Sequence, residues 1–69
     1  MNYCVVVQAT GKELDQLRGE ANRVAIDGRT DWYAEPREFG TAFCFEDAAV
    51  RSRFCAICAK ESIDYTTEG

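Results

Sequence analysis

The stretch from Phe39 to Ala59 constrains the possible folds of this chain more than any other. Its first part, FGTAFCFED, alternates with period 2, which is typical of a β-strand. Its second part, AAVRSRFCAICA, changes to the spacing of an amphipathic helix, and Asp47 at the junction is a favourable N-cap. We therefore predict a strand over residues 39–45 that leads into a helix from about Ala48 to Glu61.

The N-terminal part predicts a strand followed by a helix. Residues 3–9, YCVVVQA, are rich in β-branched side chains and predict a buried strand. Thr10 and Glu13 have the spacing of a capping box, so we expect a helix from about Gly11 to Ala25. Gly19 in this helix suggests close packing on the sheet, and Gly28 is a natural stop signal.

Two further strands complete the pattern. Residues 29–35 predict a strand. Pro36 removes a backbone donor and suits an edge strand or the turn that ends it, and residues 35–38 form a plausible hairpin loop. Residues 62–68 alternate again and predict the last strand. The order is βαββαβ over a single domain, residues 1–69, for which the most economical packing is a ferredoxin-like α+β fold. In this fold the four strands form an antiparallel sheet, both helices cover one face, and the first and third strands are central.

This packing divides the strand residues between two faces. The core face is expected to carry Tyr3, Val5, Val7, Trp32, Phe43, Phe45, Ile63 and Tyr65. The opposite face, which we call the open face, has no helix over it. Its predicted centre consists of Cys4, Val6, Gln8, Tyr33, Ala42 and Cys44, within a rim of Asp31, Glu35, Glu46, Asp64, Thr66 and Glu68. An apolar centre with a polar rim is typical of a protein-binding surface, whereas small residues on an open sheet face can also simply be solvated.

Composition excludes several partners. The formal net charge is −4 and the charges are scattered, which disfavours binding to phosphate backbones. The N-terminus lacks the pattern of a signal peptide and no stretch has the length of a membrane span, so we expect a cytoplasmic protein without membrane association. Four cysteines in such a protein are expected to be reduced. Cys4 and Cys44 could be cross-strand neighbours, but an oxidised pair is not expected.

The CxxC sequence formed by Cys55 and Cys58 is a candidate thiol pair. It falls in the second half of the predicted helix, where the helix dipole does not lower a thiol pKa, so we interpret both as small buried hydrophobic residues. Only one such pair is present and the chain has no histidine, so we expect neither a metal site nor another cofactor.

Catalysis is not expected. The absence of histidine excludes Ser-His-Asp and Cys-His nucleophiles, and the glycines are isolated rather than grouped in a phosphate-binding loop. We therefore expect a non-enzymatic interaction or regulatory module that forms a homodimer or binds a partner protein through the open face or an edge strand. The alternative is a small-molecule-sensing or thiol-dependent domain.

The element order, together with the segment FGTAFCFEDAA, resembles the RNA-recognition motif. That resemblance implies RNA binding through aromatic side chains on the open face. The family's two stacking positions on the third strand correspond here to Gly40 and Ala42, and those on the first strand to Cys4 and Val6. Tyr33 is the one candidate for stacking, so the preferred expectation is a protein partner and no nucleic acid.

Overall fold

A computed structural model describes residues 2–68 and confirms the predicted architecture. Its elements are β1 (Tyr3–Val7), α1 (Gly11–Asp27), β2 (Trp32–Arg37), β3 (Gly40–Phe45), α2 (Ala48–Lys60) and β4 (Tyr65–Glu68). The strands form one antiparallel sheet in the order β2-β3-β1-β4, so the first and third strands are central as expected. Two helices and this sheet make a ferredoxin-like α+β fold.

The core lies between the sheet and the two helices because strand alternation and helical spacing place apolar side chains on facing surfaces. Phe54 of α2 is fully buried, and its ring centroid is 5.0 Å from that of Phe43 and 5.4 Å from that of Phe45. The other buried members come from β1, the loop after it, both helices and the segment before β4: Val5, Val7, Ala9, Leu17, Ala21, Val24, Val50, Cys58 and Ile63.

Three aromatic residues contribute less to the core than predicted. Trp32 is partly buried, with its ring centroid 5.9 Å from that of Phe43. Tyr3 is half-buried, and the guanidinium of Arg51 lies 5.4 Å from its ring centroid. Tyr65 is 37% exposed because it belongs to the short edge strand β4, so the prediction that it lies in the core is wrong.

The start of α1 differs from the predicted capping box. Thr10 is the N-cap residue, but its side chain makes no capping hydrogen bond, and Gly11 has a φ of +58°. The left-handed turn at Gly11 brings the chain into the helix without the reciprocal bond to Glu13. The helix continues to Asp27, beyond the predicted end at Ala25.

The two glycines of this region have different roles. A Cβ atom at Gly28, the C-cap of α1, would collide with the side chain of Val50, so glycine permits close approach of α2 there. A Cβ atom at Gly19 would meet nothing within 4 Å. The predicted close packing at Gly19 is therefore wrong.

The hairpin between β2 and β3 is tighter than predicted. Pro36 lies within β2, opposite Thr41, which an edge strand allows because one of its sides needs no ladder hydrogen bond. The turn consists of residues 38–39 rather than the predicted residues 35–38. Gly40 follows with a φ of +121°, and a Cβ atom there would press on the carbonyl oxygen of Val7. Glycine is thus required where the hairpin passes close to β1.

The C-terminal elements follow the prediction with one shift. Asp47 caps α2, since its Oδ1 accepts hydrogen bonds from the amides of Ala49 at 2.8 Å and Val50 at 3.1 Å. The helix ends at Lys60, and β4 is shorter than the predicted strand over residues 62–68. Ser62 has a φ of +59°, so the chain turns there instead of extending.

Candidate functional site

The open face is centred on two cross-strand pairs of the central strands. Cys4 of β1 lies opposite Cys44 of β3, and Val6 lies opposite Ala42. These four residues form a small apolar cluster, separate from the main core on the helix-covered side. The prediction that these four residues share the open face is confirmed.

Cys4 and Cys44 are joined by a disulfide bond. The expectation that all four cysteines are reduced is wrong for this pair. The physical reason is the register, which sets the two residues directly opposite each other with their Cα atoms 4.0 Å apart. The bond links the two central strands across 40 positions of sequence.

The apolar cluster is buried even though the helices lie on the other face. Ala42 and Cys44 have no exposed surface, and Cys4 and Val6 are each 7% exposed. The cover comes from longer polar side chains on the edge strands. The four residues of the cluster are small, so neighbouring side chains can cover them. The predicted exposed apolar centre of the open face is therefore buried in the monomer.

An ion pair spans this face from one edge of the sheet to the other. Arg37 of β2 and Glu68 of β4 belong to the two outermost strands, yet Nη2 of Arg37 is 3.1 Å from Oε1 of Glu68. Two central strands lie between β2 and β4, and neighbouring strands are about 4.8 Å apart, so the axes of the two edge strands are about 14 Å apart. Both side chains must therefore extend over the central strands to meet, and they lie above the apolar cluster.

Glu35 completes a three-residue bridge, which we call the charged bridge: Glu35, Arg37 and Glu68. Arg37 Nη1 donates to the carboxylate of Glu35, whose register partner is Ala42. Hydrogen bonds to Glu68 and then to Glu35 raise the pKa of Arg37, so the cation is held between two carboxylates. Arg51 Nη1 also donates to the backbone oxygen of Glu68 at 3.2 Å. The charged bridge carries a formal net charge of −1.

Tyr33 and Gln8 are the exposed members of the predicted surface. Tyr33 lies opposite Cys44 and is 44% exposed, and its hydroxyl oxygen accepts a hydrogen bond from Asn2 Nδ2 at 3.0 Å. Gln8 is exposed, and its Nε2 donates to the backbone oxygen of Phe39 in the hairpin turn. These two side chains, the charged bridge and the exposed Thr66, which lies opposite Val6, belong to the accessible surface of the open face.

The second thiol pair lies on the other side of the sheet, in the second half of α2 as predicted. Cys58 is fully buried in the core, and burial raises the pKa of its thiol to about 11. Burial also raises the pKa of the half-buried Cys55. Both groups are therefore neutral thiols near pH 7, in which state a thiol is a poor nucleophile and metal ligand.

Metal-binding chemistry finds no support in the described part of the chain. Across residues 2–68, no group of three or more histidine, cysteine, aspartate or glutamate side chains is arranged to hold a metal ion. Neither helix within the same range is long and apolar enough to cross a membrane.

The residues that sequence reasoning missed are those of the charged bridge. The sequence predicts Glu35 and Glu68 in the rim and Arg37 in a hairpin loop. It does not predict that the side chain of Arg37 extends over the open face to Glu68. The alternation of Tyr33, Glu35 and Arg37 would have revealed the shared face if β2 had been extended through Pro36.

A scan of protein-family models and a search of curated proteins find no match to this chain.

Proposed function

We propose that this protein is a non-enzymatic interaction module that binds a basic partner protein through its open face. The observation that carries the proposal is the charged bridge, because it combines two carboxylates and one cation over a buried apolar cluster. A partner cation can replace Arg37 at either carboxylate, and an apolar group of the partner can then contact the cluster beneath.

Tyr33 supplies the anchor in this proposal. A half-exposed tyrosine at the border of the charged bridge offers an apolar ring and a polar hydroxyl, the combination that is enriched in binding hot spots. Tyr33 belongs to the same register row as the disulfide-linked pair. The disulfide holds the central strands in place, so the surface is preorganised and binding needs little backbone rearrangement.

Charge favours a different basic protein over a second copy of this chain. Two copies meeting through the open face would bring together two charged bridges, each with a net charge of −1, in addition to the overall charge of −4 on each chain. Like charges at a desolvated interface oppose association. A homodimer through this face is therefore the disfavoured alternative, and solution mass distinguishes the two.

Thiol-dependent chemistry has less support than binding. The chain has no histidine to activate a nucleophile, and the pKa values of Cys55 and Cys58 are raised rather than lowered. The proposal therefore assigns these two cysteines to packing and no catalytic residue to the open face.

The test compares two matched tyrosine variants. Proteins captured on the immobilised full chain are identified, expressed, and titrated by calorimetry against the parent, Tyr33→Ala and Tyr65→Ala. Tyr65 is the control because it is similarly exposed but belongs to the opposite face of the sheet. We expect Tyr33→Ala to weaken binding at least about tenfold, as loss of an aromatic hot spot does, and Tyr65→Ala to leave it within about twofold.

Two further readouts complete the experiment. Affinity should fall as salt is raised, because opposite charges across an exposed interface are screened. Glu35→Gln should also weaken binding, since it removes one carboxylate from the charged bridge. Equal affinity for the parent and Tyr33→Ala would overturn the proposal, and so would a concentration-dependent dimer that Tyr33→Ala abolishes, because that result would make a second copy the partner.

A further inference from the structure

An apolar groove lies between α1 and α2, on the side of the protein away from the open face. It has a volume of about 230 Å³. Leu17 of α1, Ile57 of α2 and Ile63, just before β4, provide its apolar floor. The remaining lining residues are polar or lack a side chain: Glu13, Gln16, Gly19, Glu20 and Glu61.

Gly19 leaves one position of the α1 wall of the groove without a side chain. Gly19 lines the groove, and a Cβ atom there would meet nothing within 4 Å. Glycine within a helix costs about 1 kcal/mol relative to alanine. No close packing requires glycine at this position. Leu17 and Ile63 are buried below the opening, and Ile57 is half-buried at its side.

The charges around this floor select the type of ligand. Glu20 is already paired with Arg23, whose Nη2 lies 2.6 Å from Glu20 Oε2. Glu13 and Glu61 form no ion pair within the described residues 2–68. Glu61 is also the C-cap of α2, where the helix dipole adds negative potential. The positive charge of Lys60, the last residue of α2, also acts on Glu20. Three carboxylates at the mouth are thus set against the two cations Arg23 and Lys60, so the groove favours a cation over an anion.

From this combination we infer that the groove binds a small primary amine with a compact apolar body. The apolar body would contact Leu17, Ile57 and Ile63, and the ammonium group would lie beside Glu13 and Glu61. A volume of about 230 Å³ is below the roughly 300–1,000 Å³ of pockets for drug-sized ligands, so the ligand has a single ring or a short branched chain. This inference is independent of the function proposed for the open face.

The experiment is an NMR titration of the ¹⁵N-labelled full chain at pH 7 with three probes of one shape. Cyclohexylmethylamine carries the cation, cyclohexylmethanol is neutral, and cyclohexanecarboxylate is an anion. We expect the amine to produce saturable shifts of the amides around Gly19 and Ile57, with an affinity at least about fivefold higher than that of the alcohol. The carboxylate should bind more weakly than either.

Three variants test the assignment. Gly19→Leu should abolish the shifts with all three probes, since it adds a side chain to the wall of the groove. It should fold because a Cβ atom at this position meets nothing within 4 Å and leucine improves helix propensity. The double variant Glu13→Gln/Glu61→Gln should reduce amine binding to the level of the alcohol without affecting the alcohol itself. Glu38→Gln/Glu46→Gln, which removes two exposed carboxylates outside the groove, is the charge-matched control and should change neither.

The inference fails on any of three results. If the amine produces no saturable shifts at concentrations up to about 20 mM, the groove holds no such ligand. Equal binding of amine and carboxylate would show that the carboxylates do not select charge. Unchanged amine binding in a folded Gly19→Leu variant would place the bound amine elsewhere on the protein.

Discussion

Reduction of the Cys4–Cys44 disulfide is expected to remove a large part of the stability of this protein. The bond closes a loop with a sequence separation of 40 between the two central strands. The chain-entropy relation gives about 4 kcal/mol for a loop of this length, because the open unfolded chain has more conformations than the closed one. A domain of 69 residues has a free energy of unfolding of about 3–10 kcal/mol in total. The reduced protein should therefore be marginally stable.

The assay is urea unfolding followed by circular dichroism, with and without a phosphine reductant. For a domain of this size the dependence on urea is roughly 1 kcal/mol per molar, so the midpoint should fall by roughly 4 M on reduction. Thermal melting should show a decrease of about 16–32 °C. The double variant Cys4→Ala/Cys44→Ala should melt near the reduced parent and should not respond to reductant. Cys55→Ala should respond as the parent does, because Cys55 is a free thiol.

A thiol count in denaturant provides an independent check. The unreduced protein should show two reactive thiols, those of Cys55 and Cys58, and the reduced protein should show four. Four reactive thiols before reduction would refute the covalent link between β1 and β3. Two thiols combined with an unchanged midpoint on reduction would refute the loop-closure reasoning instead, and would mean that the unfolded chain is already compact around this pair.

Two further predictions concern α2. Asp47→Ala removes the side chain that caps the helix, so it should lower the free energy of unfolding by about 1 kcal/mol in the same urea assay, while Asp47→Ser should restore most of the loss. An unchanged midpoint in Asp47→Ala would show that the cap is dispensable. Between the usual cysteine pKa near 9 and the folded pKa of about 11, the unfolded chain loses the thiol proton of Cys58 while the native protein keeps it. The free energy of unfolding should therefore fall as pH rises through this range, with full stability below it. Cys58→Ala should flatten that decline, and identical pH profiles for the parent and the variant would contradict the burial of this thiol.

The fold could be predicted because local signals and long-range packing agree in most of this chain. The alternation over β3, the cap at Asp47 and the apolar stripe of α2 all indicate the same arrangement. Predictions were wrong where the local preference of a residue differed from what its position in the sheet allows. Pro36 suits either an edge strand or the turn that ends it, and the loop predicted over residues 35–38 is wrong because the edge position of β2 lets the strand continue through Pro36 to Arg37.

The charged bridge over the open face could not be predicted from the sequence for a different reason. Arg37 and Glu68 are 31 positions apart, and their contact depends on the order of four strands and on the reach of two flexible side chains. No periodic pattern records that contact. The groove was missed because Gly19 has two physical explanations, close packing or open space, and the helix pattern is the same for both.

The disulfide also determines what a cut in the backbone would do to this protein. Residues 4–44 form a covalently closed ring that contains the hairpin turn, where the side chain of Phe39 is 74% exposed. Exposed loop tips are preferred sites of proteolysis. A protease that cleaves after Phe39 would separate β1, α1 and β2 from β3, α2 and β4 in sequence, yet both fragments would stay joined through Cys4 and Cys44. The oxidised protein can therefore persist as a two-chain molecule with an intact sheet, whereas after reduction the same cut leaves two fragments joined by non-covalent contacts alone.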